Sequence, residues 1–152
     1  MKRKLIEKIK SKLSISDYKK LSSLSNIKVI RFIIEADALC NPKEIFICSD
    51  TPKEKAYIRR MAILTGEENP LKIKGHTYHF DGYYDQGRDR EVTKFLVPEG
   101  DYLNPNLNQI ERKTGLEEIK SFLKDAMQNR TMIVRFLTLG PANSRFAILC
   151  ME

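Results

Sequence analysis

The stretch Asp85-Gln86-Gly87-Arg88-Asp89-Arg90-Glu91-Val92-Thr93-Lys94 packs two arginines, a lysine and three acids around one glycine. Such a cluster can hold an anionic substrate, because the planar guanidinium fork matches the oxygens of a carboxylate or phosphate. The same composition also suits a solvated loop whose Asp and Arg side chains pair with one another, and composition by itself favours that second reading. His76 and His79 are the only histidines. Three residues apart on a strand, they point to opposite faces and cannot grip one ion without a bulge, so ordinary strand positions are expected. None of the seven glycines is followed by lysine, so the GxxxxGK[ST] phosphate loop is absent from this sequence. Cys40, Cys48 and Cys150 form no CxxC pair, and buried, reduced thiols are expected rather than a zinc or redox site.

Local patterns say what must position these groups. Leu5, Ile6, Ile9 and Leu13 recur at helical spacing among lysines. Ser14 and Asp17 have the spacing of a capping box for a second short helix. Asn26 is placed to cap a third, carrying Val29, Ile30, Ile33, Ile34 and Ala38 and ended by Asn41-Pro42. Ile45 to Cys48 reads as a buried strand. Thr51-Pro52-Lys53-Glu54 opens a helix with Tyr57, Ile58, Met61 and Leu64 on its apolar side and Gly66 at its close. Residues 71–84 read as a hairpin turning near Gly75, and Val92–Val97 as a strand. Glu99–Asn108 reads as a loop. Thr114 and Glu117 predict a helix start, with the helix running to about Gln128. Thr131–Leu137 reads as a central strand, Gly140–Ser144 as a tight turn, and Phe146–Cys150 as a final apolar strand. That last strand predicts a sheet with a further part. The fold class expected is α/β: an amino-terminal helical segment, residues 1–40, then a mixed β-sheet with flanking helices over 41–152.

Bulk properties exclude several roles. The chain has 152 residues, 41% apolar and 31% charged, with a net charge of +7. Residues 1–31 hold ten basic residues against two acidic ones, whereas the remainder holds seventeen against eighteen. The excess therefore lies in the leading helices as their wet face, without the interleaved aromatics or motifs of a nucleic-acid binder. No apolar run approaches the roughly 20 residues that span a bilayer, and no secretory signal is visible. A cytoplasmic protein with neither nucleic-acid nor membrane partner is expected.

Three segments, in order, resemble the GTP-dependent phosphoenolpyruvate carboxykinases, archaeal type. Ile45 to Ser49 is similar to that family's first strand. Leu71 to Asp89, with His76-Thr77-Tyr78-His79-Phe80-Asp81-Gly82 at its centre, resembles archaeal members. Asn129-Arg130-Thr131-Met132 through Gly140-Pro141-Ala142-Asn143-Ser144 resembles the family's Gly-Arg-Thr-Met strand and Gly-Pro turn. The resemblance implies the amino-terminal, substrate-side part of an enzyme that turns oxaloacetate and GTP into phosphoenolpyruvate, GDP and carbon dioxide. Manganese or magnesium serves the full-length enzyme. The family's substrate-reaching Arg, in an Asp-Val-Ala-Arg pattern, aligns with Glu91-Val92-Thr93-Lys94 and assigns that role to Lys94; a shifted register assigns it to Arg88. Asn129 stands for the usual Gly, and Arg145 where Pro is common. The family's phosphate loop with its reactive cysteine, its metal-binding Lys, His and Asp, and its guanine pocket lie further along a chain several times longer. Cys150 lacks a Gly-rich loop and does not take that cysteine's part. The chain alone is therefore expected to bind no GTP or metal, to be inactive, and to need the carboxy-terminal part of the enzyme as its partner. The other readings are a non-catalytic module that binds an anion or partner, and a degraded remnant.

Overall fold

A computed structural model describes residues 2–82 and 92–152. It divides the chain into two compact units, Met1–Asp50 with Lys120–Glu152, and Thr51–Ile119. Helices alternate with both parallel and antiparallel strand pairs, so the mixed α/β expectation holds.

The first unit is built around a parallel strand pair. Strand β1 (Glu44–Ile47) runs beside a strand formed by Thr131–Val134, with Ile45 opposite Met132 and Ile47 opposite Val134. Alternate residues of both strands are buried in the same phase, as a period of two requires. Against them lie three helices: α1 (Lys2–Ile6), α2 (Ile15–Ser23) and α3 (Ile27–Cys40). Their Ile6, Ile30, Ile33 and Leu21, with Ile9, complete the core around Ile45, Ile47, Met132 and Val134. Each such side chain stabilises the fold by roughly 1.5–3 kcal/mol when fully buried. The first amphipathic run is not one α-helix: Glu7–Lys12 tightens into a 3-10 helix. Three residues per turn keeps Ile6 and Ile9 on one side and delivers Leu13 to a parallel bridge with Ile45. Lys12 then pairs with Asp37 of α3 at 2.7 Å.

Both forecast caps in this unit are present. Ser14 Oγ accepts from the Asp17 N–H, and Asn26 Oδ1 from the Lys28 N–H. Asn41 ends α3 in the left-handed region, φ 51°, where a short polar side chain is tolerated. Asp17 does more than its capping position requires. Its carboxylate, only 4% exposed, accepts from the backbone N–H of Ile47 at 3.1 Å and from Lys20 Nζ at 3.1 Å. The same Lys20 Nζ donates to the Ile47 carbonyl at 2.7 Å.

In the second unit, α4 (Pro52–Leu64) starts as expected, with Thr51 Oγ1 accepting from the Glu54 N–H and Pro52 in the first turn. Its apolar side is only partly covered: Tyr57, Ile58 and Met61 are half-buried and Leu64 is exposed. The hairpin pairs β2 (Asn69–Pro70) with β3 (Thr77–Tyr78), earlier than the pattern of Leu71 and Ile73 suggested. Gly75 at φ 82° makes its turn. Strand β4 is confined to Phe95–Val97 and pairs in parallel with β5 (Gln109–Glu111), a strand without a sequence signal of its own. Helix α5 (Arg112–Leu123) follows directly.

The forecast Thr114 cap for α5 is replaced by Glu111, whose carboxylate accepts from the Lys113 N–H at 2.7 Å and the Thr114 N–H at 2.8 Å. These backbone donors hold the Glu111 carboxyl below the usual glutamate range. A longer carboxylate reaching forward from a strand end satisfies the same orphan amides that a threonine would. Helix α5 stops at Leu123 rather than near Gln128. Asp125 turns left-handed, φ 57°, while its N–H bonds to the Leu39 carbonyl and Met127 N–H to that of Cys40. A tertiary contact with the end of α3 thus takes the donors that another helical turn would have used.

The run Thr131–Leu137 changes partner midway. β6 (Thr131–Val134) stays with β1, whereas β7 (Phe136–Leu139) forms an antiparallel hairpin with β8 (Ile148–Met151). Arg135 and Glu152 exchange both backbone hydrogen bonds, 2.8 and 3.0 Å, at the hairpin's base. Cys40 is buried, but Cys48 and Cys150 are half-buried, and none of the three forms a disulfide.

Replacing Asp17 with Ala leaves the Ile47 amide without its buried acceptor and should lower the unfolding free energy by about 2–3 kcal/mol. Replacing the exposed neighbour Ser16 with Ala should change it by less than about 0.5 kcal/mol. Urea titration followed by circular dichroism compares the two. A loss in Asp17→Ala no larger than in Ser16→Ala contradicts the assigned role.

Candidate functional site

Lys94 is exposed and immediately precedes β4. The strand that follows is anchored: Phe95 N–H donates to the Asn108 carbonyl at 2.8 Å, and Leu96 sits opposite Ile110. Behind that pair, Gly115 of α5 has no side chain to spare. A β-carbon added there would come within 2.4 Å of Leu96 Cδ2 and 3.0 Å of Ile110 Cγ2. The helix thereby presses directly onto the strands that carry Lys94. Arg88, the alternative anion-binding residue, lies outside the described residues, as do most of the charged stretch and its glycine.

A second cationic feature was not singled out from the sequence. A cavity of about 520 Å³ lies along α4, lined by Pro52, Lys55, Ala56, Arg59, Arg60 and Ile63. Lys55 and Arg59 lie one helical turn apart, which stacks them on one face. That spacing is visible in the sequence, but the apolar Tyr57-Ile58-Met61 pattern drew the reading toward a packed helix. Arg59 Nη1 also donates to the Gly75 carbonyl at 3.4 Å, fastening α4 to the hairpin turn. Lys94 does not line this cavity.

The two histidines have separate surroundings. His79 Nδ1 lies 2.5 Å from the Glu67 carbonyl, and Nε2 3.2 Å from Asp81 Oδ1. Both neighbours are acceptors, so both ring nitrogens donate when the imidazole is protonated. His76 instead engages its backbone, donating to the Ile73 carbonyl and accepting from the Leu71 N–H. Among the described residues no three His, Cys, Asp or Glu side chains stand together as a donor set for a metal ion.

Comparison with known proteins identifies the family of the chain. The family described as the phosphoenolpyruvate carboxykinase N-terminal domain matches residues 31–152. The chain is 41% identical over 144 residues to a phosphoenolpyruvate carboxykinase (GTP) of Thermococcus sibiricus, covering 95% of this chain and 23% of that protein. To the protein of the same name from Sulfurisphaera tokodaii it is 44% identical over 142 residues, 92% of this chain and 23% of the relative. For that of Pyrococcus abyssi the figures are 40% over 147 residues, 97% and 24%. The similarity thus runs through the leading helices as well, beyond the segments that carried the resemblance. The chain spans about a quarter of the length of the curated relatives it matches.

The Glu67 carbonyl, and then Asp81, raise the His79 pKa above the ordinary histidine value. The sign follows: the contact is complete below the pKa of the unfolded chain and is lost as pH rises through the raised value. The His79 ring protons, followed by NMR, should titrate at higher pH in the folded chain than in urea. Asp81→Asn should lower the midpoint without abolishing the shift, since the Glu67 carbonyl remains. An identical midpoint in folded and denatured chain would refute this geometry.

Proposed function

The chain belongs to the phosphoenolpyruvate carboxykinase N-terminal domain family, and we propose from that premise that it is the substrate-side part of a GTP-dependent carboxykinase. The complete enzyme would break the bond between the oxaloacetate methylene carbon and its carboxylate, releasing carbon dioxide. The enolate oxygen left behind would take the γ-phosphoryl group of GTP, giving phosphoenolpyruvate and GDP. In such a reaction the protein chiefly positions the substrates and offsets charge. This chain's share is to hold an anionic end of the C3 or C4 acid, with Lys94 as the cation and Arg88 as the alternative.

The observation that carries the reading is the family match over residues 31–152, together with relatives named as GTP carboxykinases at 40–44% identity. Two features support Lys94. It is exposed ahead of a strand braced by the Gly115 contact, and it occupies the end of the Glu91-Val92-Thr93-Lys94 tetrapeptide. A lysine there supplies charge as a point rather than as a two-pronged fork. Nucleotide and metal, manganese or magnesium, belong in this reading to the three quarters of the enzyme that this chain does not span. The polypeptide containing them is the partner, and the cytoplasm is the proposed compartment.

Purified free of host enzyme, the chain alone should release no carbon dioxide from oxaloacetate with GTP; turnover by the isolated chain would overturn the assignment of the phosphoryl-transfer machinery to the remaining polypeptide. Supplying that polypeptide from a relative should restore activity.

Calorimetry with phosphoenolpyruvate and oxalate examines the anion site by itself. Lys94→Ala should weaken binding about tenfold or more, whereas Arg88→Ala should leave it nearly unchanged. The reverse pattern moves the role to Arg88, and no binding by the unaltered chain removes the site from this chain.

A further inference from the structure

The β7–β8 hairpin has the surface of a buried element. Its register puts Phe136 opposite Met151 and Thr138 opposite Leu149 on one face, and Leu137 opposite Cys150 and Leu139 opposite Ile148 on the other. A sheet with one wet face alternates apolar and polar residues. Here both faces are apolar, with Thr138 the exception. Leu139, Ile148 and Leu149, with Phe146 in the connection, are each more than half exposed. Its base is held by Met151 against the core and by the Arg135–Glu152 pairing. A two-stranded ribbon is marginal in water without an apolar cover, and its edges invite pairing with further chain.

We infer that this hairpin is the surface on which the remaining carboxykinase polypeptide docks, covering both of its faces; the inference rests on the reading of the chain as the amino-terminal part of that enzyme. Four observations select this occupant. The hairpin lies inside the family match, so the relatives' polypeptide includes the same segment. About three quarters of each relative lies outside the matched part and is available to cover it. A second copy of this chain fits less well, because a two-fold contact sets one patch against its own equivalent and leaves the other apolar face wet. A bilayer fits less well again, since strands of four residues fall short of the roughly 9–11 that cross one.

The test compares amide hydrogen exchange in this chain alone with exchange in a chimera whose matched quarter, in the Thermococcus sibiricus relative, is replaced by this chain. Amides of Leu137–Leu139 and Ile148–Cys150 should exchange about 100-fold more slowly in the chimera. Leu139→Ser and Leu149→Ser, one on each face, should each remove most of that protection. Neither should alter the circular dichroism of the chain alone, where both side chains are already in water. Equal exchange in the two proteins overturns the proposal. So does protection in the chain alone that grows with its concentration, which would identify a second copy as the occupant. Turnover by the chimera is read separately. A chimera that works with an unprotected hairpin sinks the docking surface alone, and one that protects the hairpin without turnover sinks the substrate-holding role proposed for this chain while the surface stands.

Discussion

A parallel strand pair leaves two outer edges whose amides and carbonyls still need partners, and burying them unpaired costs more than most side-chain contacts return. The outer edge of β1 meets this constraint with eight consecutive residues. Leu13 bridges to Ile45, Ser14 starts α2, and Asp17 and Lys20 close on the N–H and carbonyl of Ile47. The carboxylate is buried but not isolated, since the Ser14 hydroxyl, the Lys20 ammonium and a backbone amide all donate to it. That set of donors is what makes a buried charge tolerable. With the edge closed, Ile45 and Ile47 join the leading helices in the core of the first unit.

Charge in the leading segment follows from the same arrangement. Lysines outnumber acids there, yet Lys10, Lys12 and Lys20 face Glu7, Asp37 and Asp17. The second unit is organised differently. Among its described residues, burial centres on Val97 and Gly115, so capping and strand pairing do what a larger core does in the first. Glu111 joins these functions by ending β5 and capping α5 with one carboxylate. Lys94 leads into that small assembly and is exposed.

The β7–β8 ribbon is apolar on both faces apart from Thr138, and it is attached to the core through Met151 and Arg135 rather than packed within it. The docking proposed above would give those faces their cover.

Much of the local structure is determined by short-range chemistry and was legible in the sequence alone. The caps at Ser14, Asn26 and Thr51, the stop at Asn41, the turn at Gly75 and the apolar strand through Ile45 and Ile47 each depend on a few neighbouring residues. The family resemblance was equally legible, because it rests on ordered residue types. What only the tertiary structure decided are features whose partners lie far along the chain. Asp17 reaches Ile47, thirty residues on; β5 exists because β4 is beside it; α5 ends early because Leu39 and Cys40 take its next amides. The partner switch at Arg135 depends on Glu152. An apolar run shows that a strand wants burial, but not what will bury it, since hydrophobic burial carries no address and register and partner are settled only when distant segments meet.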